Sequence, residues 1–90
     1  MSIKINIPSY MQSVTNNMRL VEVNGSMVGD CLNHLVKQFP GVEKQLFSKN
    51  GNLSEYILIS VNGESAYPEQ LSKSVKDGDE LNILRIFDGG

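Results

Sequence analysis

The chain has few of the side chains from which metal sites and nucleophilic centres are built. Its 90 residues include one cysteine, Cys31, and one histidine, His34. A single cysteine excludes an internal disulfide and a four-cysteine iron–sulfur site, and the two residues together are too few for a closed zinc site of cysteine and histidine ligands. We therefore expect no metal site and no bound cofactor.

An excess of positive charge and long hydrophobic runs are missing as well. Eight Lys and Arg against ten Asp and Glu give a formal net charge of −2, and the basic residues are scattered, so no nucleic-acid partner is expected. No apolar run approaches the ~18–20 residues that span a bilayer, and the N-terminus lacks the apolar stretch of a signal peptide. The prediction is one domain, residues 1–90, with no membrane partner and a cytoplasmic location.

None of the interior motifs indicates catalysis. The glycines form neither GxGxxG nor a P-loop. Cys31 and His34 are three residues apart on a predicted helix and could face each other, but Cys31 lies beside the apolar stripe, where a free cysteine behaves as a small hydrophobe. Asp77, Asp79 and Glu80 have the spacing of a turn rather than that of a calcium loop. Any reaction that involves this chain would therefore be performed by a partner enzyme.

Hydrophobic periodicity predicts an α+β domain in which one helix packs on one face of a mixed sheet. The predicted strands cover residues 2–7, 20–23, 56–61 and 80–86. Residues 9–17, between the first two strands, are polar and are predicted to form a long connection. Three methionines are expected to fill gaps in the core, namely Met11, Met18 and Met27.

The helix is predicted from an apolar stripe at helical spacing. Ser26 is expected to cap its N-terminus, and Pro40-Gly41 is expected to end it. The stripe consists of Val28, Leu32, Leu35 and Phe39. One face of this helix should therefore be buried against the sheet.

The chain ends in Gly89-Gly90, directly after an apolar segment. Glycine weakens a strand because it costs backbone entropy and offers no side chain to pack. A terminal pair instead presents a bare carboxylate on a thin stalk that can enter a narrow pocket. The alternative is an ordinary frayed terminus.

Several segments together resemble a known family in their order and spacing. They are Ile5-Asn6-Ile7-Pro8, the predicted helix 28–35 leading to Phe39-Pro40-Gly41-Val42, the strand and turn 59–64, the segment 76–84, and Gly89-Gly90. From Ile3 to Gly90 the chain resembles the ubiquitin-like sulfur carriers, the MoaD/ThiS family. The resemblance implies a β-grasp fold with four to five strands and a flexible C-terminal tail, residues 85–90. It also implies a carrier that is a co-substrate and not itself an enzyme.

The resemblance further implies a mechanism and a set of partners. An E1-like enzyme would use ATP to adenylate the Gly90 carboxylate, and a sulfur donor, either a sulfurtransferase or a sulfide source, would displace AMP to leave a thiocarboxylate. A sulfur-accepting synthase would then take the sulfur. Gly90 would be the covalent carrier, and Leu58 would belong to an apolar docking patch on the exposed sheet face. The tail inserted into each partner would consist of Arg85, Ile86, Phe87, Asp88 and Gly89.

Two tail residues depart from the family pattern. Arg85 stands where many members carry proline, and Asp88 stands where a small residue is usual. The charge of Asp88 should disfavour adenylation unless a partner cation pairs with it. Arg85 is expected either to pair with Asp88 or to contact the partner.

Three assignments within the resemblance stay open. The long segment 43–56 and the run 51–62 look more like the carriers that serve the synthesis of cysteine or a related sulfur metabolite. The small subunit of molybdopterin synthase is the first alternative. A ubiquitin-like modifier that is conjugated to lysines through Gly90 is the second. Outside the resemblance, the chain could be an interaction module with an inert tail.

Overall fold

A computed structural model describes residues 1–86 of the chain. The strands in these residues are β1 (Ser2–Asn6), β2 (Leu20–Asn24), β3 (Ile57–Val61), β4 (Glu64–Ser65) and β5 (Glu80–Arg85). They form one mixed sheet in the order β2-β1-β5-β3-β4. The neighbours β1 and β5 run parallel, and every other neighbouring pair is antiparallel.

Alternation along the strands decides which face of the sheet is buried. In β1, Ile3 and Ile5 are fully buried while Lys4 between them is exposed, because successive side chains of a strand point to opposite faces. Register carries this pattern across the sheet, since Ile5 lies opposite Val21 in β2 and opposite Leu81 in β5, and all three are buried. A slip of one residue would turn the apolar set towards solvent.

The helix α1 (Val28–Gln38) covers the buried face. Its fully buried side chains are Val28, Cys31, Leu32 and Leu35, which confirms the predicted stripe except for Phe39, which is half-buried. Met27 and not Ser26 occupies the cap position, so the predicted cap was wrong by one residue. The Ser26 hydroxyl instead donates a hydrogen bond to Asp30 Oδ2, at 3.2 Å.

The connections between these elements contain short helices. The polar segment after β1 forms a 3₁₀ helix, Ser9–Val14, and places Met11 in the core. Met18 and Met27 are exposed, so their assignment to the core was wrong. The remaining short helices are the 3₁₀ turn Pro40–Val42, the helix α2 (Glu43–Leu46) and the 3₁₀ turn Gln70–Ser72.

The two sheet edges differ in how they are closed. At the β2 edge, the Asn24 N–H donates to His34 Nδ1 at 2.8 Å, and Gln38 Nε2 donates to the Glu22 carbonyl at 3.2 Å. At the other edge, β4 is only two residues long and follows a turn in which Asn62 and Gly63 both have positive φ, 52° and 87°. Side chains from α1 and a short edge strand both limit pairing with another chain.

Within residues 1–86, every helix is too short or too polar to cross a membrane.

Candidate functional site

The fifth strand leads to the segment that the sequence singled out. β5 lies between β1 and β3 and ends at Arg85. One residue further, the Ile86 N–H donates a hydrogen bond to the Tyr56 carbonyl at 2.7 Å. The tail predicted for residues 85–90 therefore begins within the sheet. The predicted site residues Phe87, Asp88, Gly89 and Gly90 lie outside the described residues, and their roles stay predictions.

The side chain of Arg85 contacts an aromatic ring from a distant part of the chain. Its guanidinium carbon lies 5.3 Å from the centroid of the Tyr10 ring, within the range of a cation–π interaction. Tyr10 belongs to the 3₁₀ helix 9–14 and packs against the core. Its hydroxyl oxygen is buried without a hydrogen-bond partner among the described residues. Burial raises the pKa of the Tyr10 phenol, and the charge of Arg85 offsets part of that rise.

An apolar surface lies on the sheet face opposite α1, at the end of β5. Leu58 is half-buried and lies directly across from Leu84, which is 47% exposed. Tyr56 and Ile86, joined by their backbone hydrogen bond, are each about half exposed. We call these four residues (Tyr56, Leu58, Leu84 and Ile86) the open-face patch.

A polar row borders the open-face patch on the same sheet face. Asn82, two residues before Leu84, accepts a hydrogen bond at 3.0 Å from Asn6 Nδ2 in the neighbouring strand. The same amide nitrogen lies 2.6 Å from Glu80 Oε1. Leu20, which is 43% exposed, lies beyond this row because it pairs with Asn6 from the β2 side. The open-face patch is thus a bounded surface next to the end of β5.

Leu58 was predicted to lie on the exposed sheet face, and the structure places it there. Tyr56 and Leu84 were missed as members of the patch. One signal was available for Leu84. In β5 the buried residues Leu81 and Ile83 have the same parity, so an apolar residue at 84 is out of phase with the core.

The other candidate groups have structural roles in the described part of the chain. Cys31 is fully buried, and burial, with a smaller contribution from the charge of Asp30, raises the pKa of its thiol to about 11. His34 Nδ1 accepts the Asn24 N–H at the sheet edge. Asp79 closes a turn by accepting from the Lys76 N–H at 2.8 Å. Within residues 1–86, no group of His, Cys, Asp and Glu side chains comes together that could hold a metal ion.

A surface groove of about 610 Å³ lies on the helical side of the molecule. It is lined by Asn33, Glu43, Lys44, Phe47, Ser48, Lys49 and Gly51. None of these residues belongs to the open-face patch or to the Tyr10–Arg85 contact. The groove therefore adds nothing to the site at the end of β5.

Comparison with known proteins gives a consistent result over nearly the whole chain. The model of the ThiS family matches residues 5–90. Small archaeal modifier protein 1 of Haloferax volcanii is 37% identical over 71 residues, which are 78% of each chain. The crystal structure of SAMP1 from Haloferax volcanii has a TM-score of 0.86 and 30% identity, with all of both chains covered. A chain in the crystal structure of the Amycolatopsis orientalis BexX/CysO complex has a TM-score of 0.87 and 28% identity, covering 98% of this chain and 99% of that one.

These matches confirm the predicted β-grasp fold, a mixed five-stranded sheet with one main helix. They agree with the resemblance drawn from the sequence segments, and the family match extends through Gly89-Gly90. The chain belongs to the ThiS family, the ubiquitin-like sulfur carriers and modifiers.

Proposed function

We propose that this protein is a sulfur carrier that is activated at the Gly90 carboxylate by an E1-like enzyme. The observation that carries the proposal is the family match over residues 5–90, which includes the diglycine. The proposal takes Gly90 as the last residue of the active form. It needs no catalytic group from the chain itself, in keeping with the structural roles of Cys31 and His34.

The proposed chemistry has two steps. The Gly90 carboxylate attacks the α-phosphorus of ATP, releasing pyrophosphate and forming an acyl-adenylate. A sulfide nucleophile then attacks the carbonyl carbon, so that a C–S bond forms and the C–O bond to AMP breaks. No redox change is involved when sulfide is the donor. A persulfide on a sulfurtransferase would also require a thiol to cleave its S–S bond.

Glycine at the last two positions suits this chemistry because the backbone can pass through a narrow channel without a Cβ clash. The open-face patch offers the surface for docking, since Leu84 lies on β5 and Ile86 directly follows that strand on the way to the diglycine. Contiguous exposed apolar residues with a polar border are typical of protein–protein contacts. The same patch would serve the activating enzyme and the sulfur-accepting synthase in turn.

The test is a reaction with the E1-like enzyme of the same organism, ATP and sulfide, followed by intact-mass measurement. The expected product is heavier by the difference between sulfur and oxygen, and a chain that lacks Gly89-Gly90 should show no change. Absence of ATP–pyrophosphate exchange with the full chain would refute the proposal.

For the acceptor we favour cysteine or a related sulfur metabolite. The support is the likeness to a chain of the Amycolatopsis orientalis BexX/CysO complex, at 28% identity and almost full coverage. The small subunit of molybdopterin synthase is the alternative within the same chemistry. Incubation of the thiocarboxylate form with each kind of acceptor enzyme and its own substrate separates the two, because only the true pair takes the sulfur, after which water cleaves the acyl–sulfur bond and returns the chain to its carboxylate mass.

A second candidate function is protein modification through Gly90. The specific support is the relative with 37% identity, which is named a modifier protein. This function uses the same adenylate but transfers the carbonyl to a lysine amine of a target, which forms an isopeptide bond and releases AMP. Immunoblots of native cells would then show a ladder of heavier species that disappears when Gly89-Gly90 is deleted.

A further inference from the structure

We propose that Tyr10 is a positioning residue for the chemistry at Gly90, because its ring holds Arg85 at the point where the chain leaves the sheet. The effect on the reaction rests on the proposed function. The effect on the end of β5 does not, and it can be measured on the free protein.

Two different elements hold consecutive residues at this point. Arg85 follows Leu81 and Ile83 at alternate positions of β5, so its side chain belongs to the sheet face that packs on the core. There its guanidinium lies over the Tyr10 ring, 5.3 Å from the centroid. The backbone N–H of the next residue, Ile86, donates a 2.7 Å hydrogen bond to the carbonyl of Tyr56, the residue just before β3. The 3₁₀ helix 9–14 and the start of β3 therefore both fix the direction in which the chain leaves the sheet.

The segment that carries Tyr10 is a firm support. Met11, the next residue, is fully buried, and its N–H donates to the Pro8 carbonyl at 2.9 Å. Gln12 Nε2 donates to the Ile7 carbonyl at 3.1 Å, which ties the 3₁₀ helix 9–14 back to the end of the first strand. Thr15, where the segment ends, is fully buried and its hydroxyl is hydrogen bonded to the Met18 carbonyl. The short helix that carries Tyr10 is thus anchored at both of its ends, so the position of the ring is fixed.

The ring and not the hydroxyl of Tyr10 performs this role. The hydroxyl oxygen has no hydrogen-bond partner among the described residues, whereas the ring face meets the Arg85 charge. Phenylalanine offers a similar ring face to a cation and lacks the unpaired hydroxyl. Leucine removes the ring while keeping an apolar side chain. The pair Tyr10→Phe and Tyr10→Leu therefore separates positioning from simple packing.

Position at this point matters for the last four residues because they are short. Residues 87–90 span at most about 13–14 Å when fully extended. A segment this short cannot bring the carboxylate to its reaction partner if the chain leaves the sheet in the wrong direction. Loss of the Tyr10–Arg85 contact should reduce the fraction of docked complexes in which the carboxylate reaches its reaction partner, while the docking surface itself is unchanged.

The first measurement is the hydrogen-exchange rate of the Ile86 amide in the free chain. Tyr10→Leu should increase this rate about two- to fivefold, the size expected for one cation–π contact at an exposed site. Tyr10→Phe should restore the wild-type rate. Tyr67→Leu, at an exposed tyrosine far along the chain from the pair, is the matched control and should leave the Ile86 rate unchanged. An Ile86 rate in Tyr10→Leu equal to that of the wild type would overturn the inference.

The second measurement is ATP–pyrophosphate exchange with the activating enzyme. Tyr10→Leu should lower kcat/KM for the carrier about two- to fivefold, with an unchanged dissociation constant of the docked complex. Tyr10→Phe should rescue the rate. Equal kcat/KM for Tyr10→Leu and the wild type, or an equal loss in Tyr10→Phe, would overturn the positioning role. Failure of the wild type to be adenylated at all would instead refute the proposed function, leaving the Ile86 measurement as the test of the contact.

Discussion

Shortening Leu84 to alanine tests whether the open-face patch is the docking surface for partner proteins. Leu84 is 47% exposed in the free chain, and this exposed surface is what a partner can cover. Full burial of a leucine side chain is worth roughly 1.5–3 kcal/mol, so the exposed share is worth roughly 0.7–1.4 kcal/mol. Leu84→Ala should therefore weaken binding to the activating enzyme about three- to tenfold.

Leu20→Ala is the matched control for this prediction. Leu20 is also a leucine of the same sheet face, it is 43% exposed, and the polar row of Asn6 and Asn82 separates it from the patch. Both variants remove the same atoms at nearly equal exposure, so each should lower the free energy of unfolding by about 1 kcal/mol. Only Leu84→Ala should raise the dissociation constant, as measured by calorimetric titration with the activating enzyme.

The outcome that refutes the reasoning is specific. If Leu20→Ala weakens binding as much as Leu84→Ala, docking does not depend on the open-face patch. A Leu84→Ala variant that binds as tightly as the wild type would lead to the same conclusion. Thermal unfolding of both variants confirms that the comparison is made between folded proteins.

Three further predictions concern the body of the domain. The Cys31 thiol, buried and with a pKa raised to about 11, should react with a thiol reagent at pH 8 only after unfolding, and rapid labelling of the folded chain would contradict this. Gly25→Ala should lower the free energy of unfolding by about 1–3 kcal/mol, because a Cβ there would lie 2.8 Å from the Cys31 sulfur; an unchanged melting temperature would show that the site can relax. Hydrogen bonds from the Lys76 N–H and the Asn62 amide lower the pKa of Asp79, so its contribution to stability is present above its unfolded pKa and is lost as pH falls through the folded value. As the pH falls below the ordinary carboxylate pKa of about 4, the wild type should therefore lose more stability than Asp79→Asn in acid unfolding, and parallel curves would refute the assignment.

The parts of the fold that were predicted from the sequence are those with a periodic apolar pattern. β1 was recognised because Ile3 and Ile5 alternate with polar residues, and α1 because its stripe repeats at helical spacing. The two residues of β4 are both exposed, so they carry no such pattern, and this strand was not predicted. Exposed Met18 and Met27 show the limit of assigning the core by residue type alone.

One residue was assigned to the exposed sheet face before the structure was known, and that assignment came from the family resemblance. Leu58 lies in β3 between the buried residues Ile57 and Ile59, so its side chain is on the exposed face. Tyr10 was missed because its partner Arg85 is distant in sequence, and a single aromatic residue in a polar segment gives no periodic signal. Contacts of this kind depend on the parallel pairing of β1 with β5, which brings the ends of these two strands together.

The central place of β5 has a mechanical consequence. The strand is hydrogen bonded along both sides, to β1 in parallel and to β3 in antiparallel orientation. A pull applied at the C-terminus would load both ladders along the strand direction, so several hydrogen bonds would have to break together and not one after another. A partner that exerts a pulling force on the C-terminus would therefore act against the hydrogen bonds of both neighbouring strands. The domain should stay folded while a partner binds and pulls its terminus.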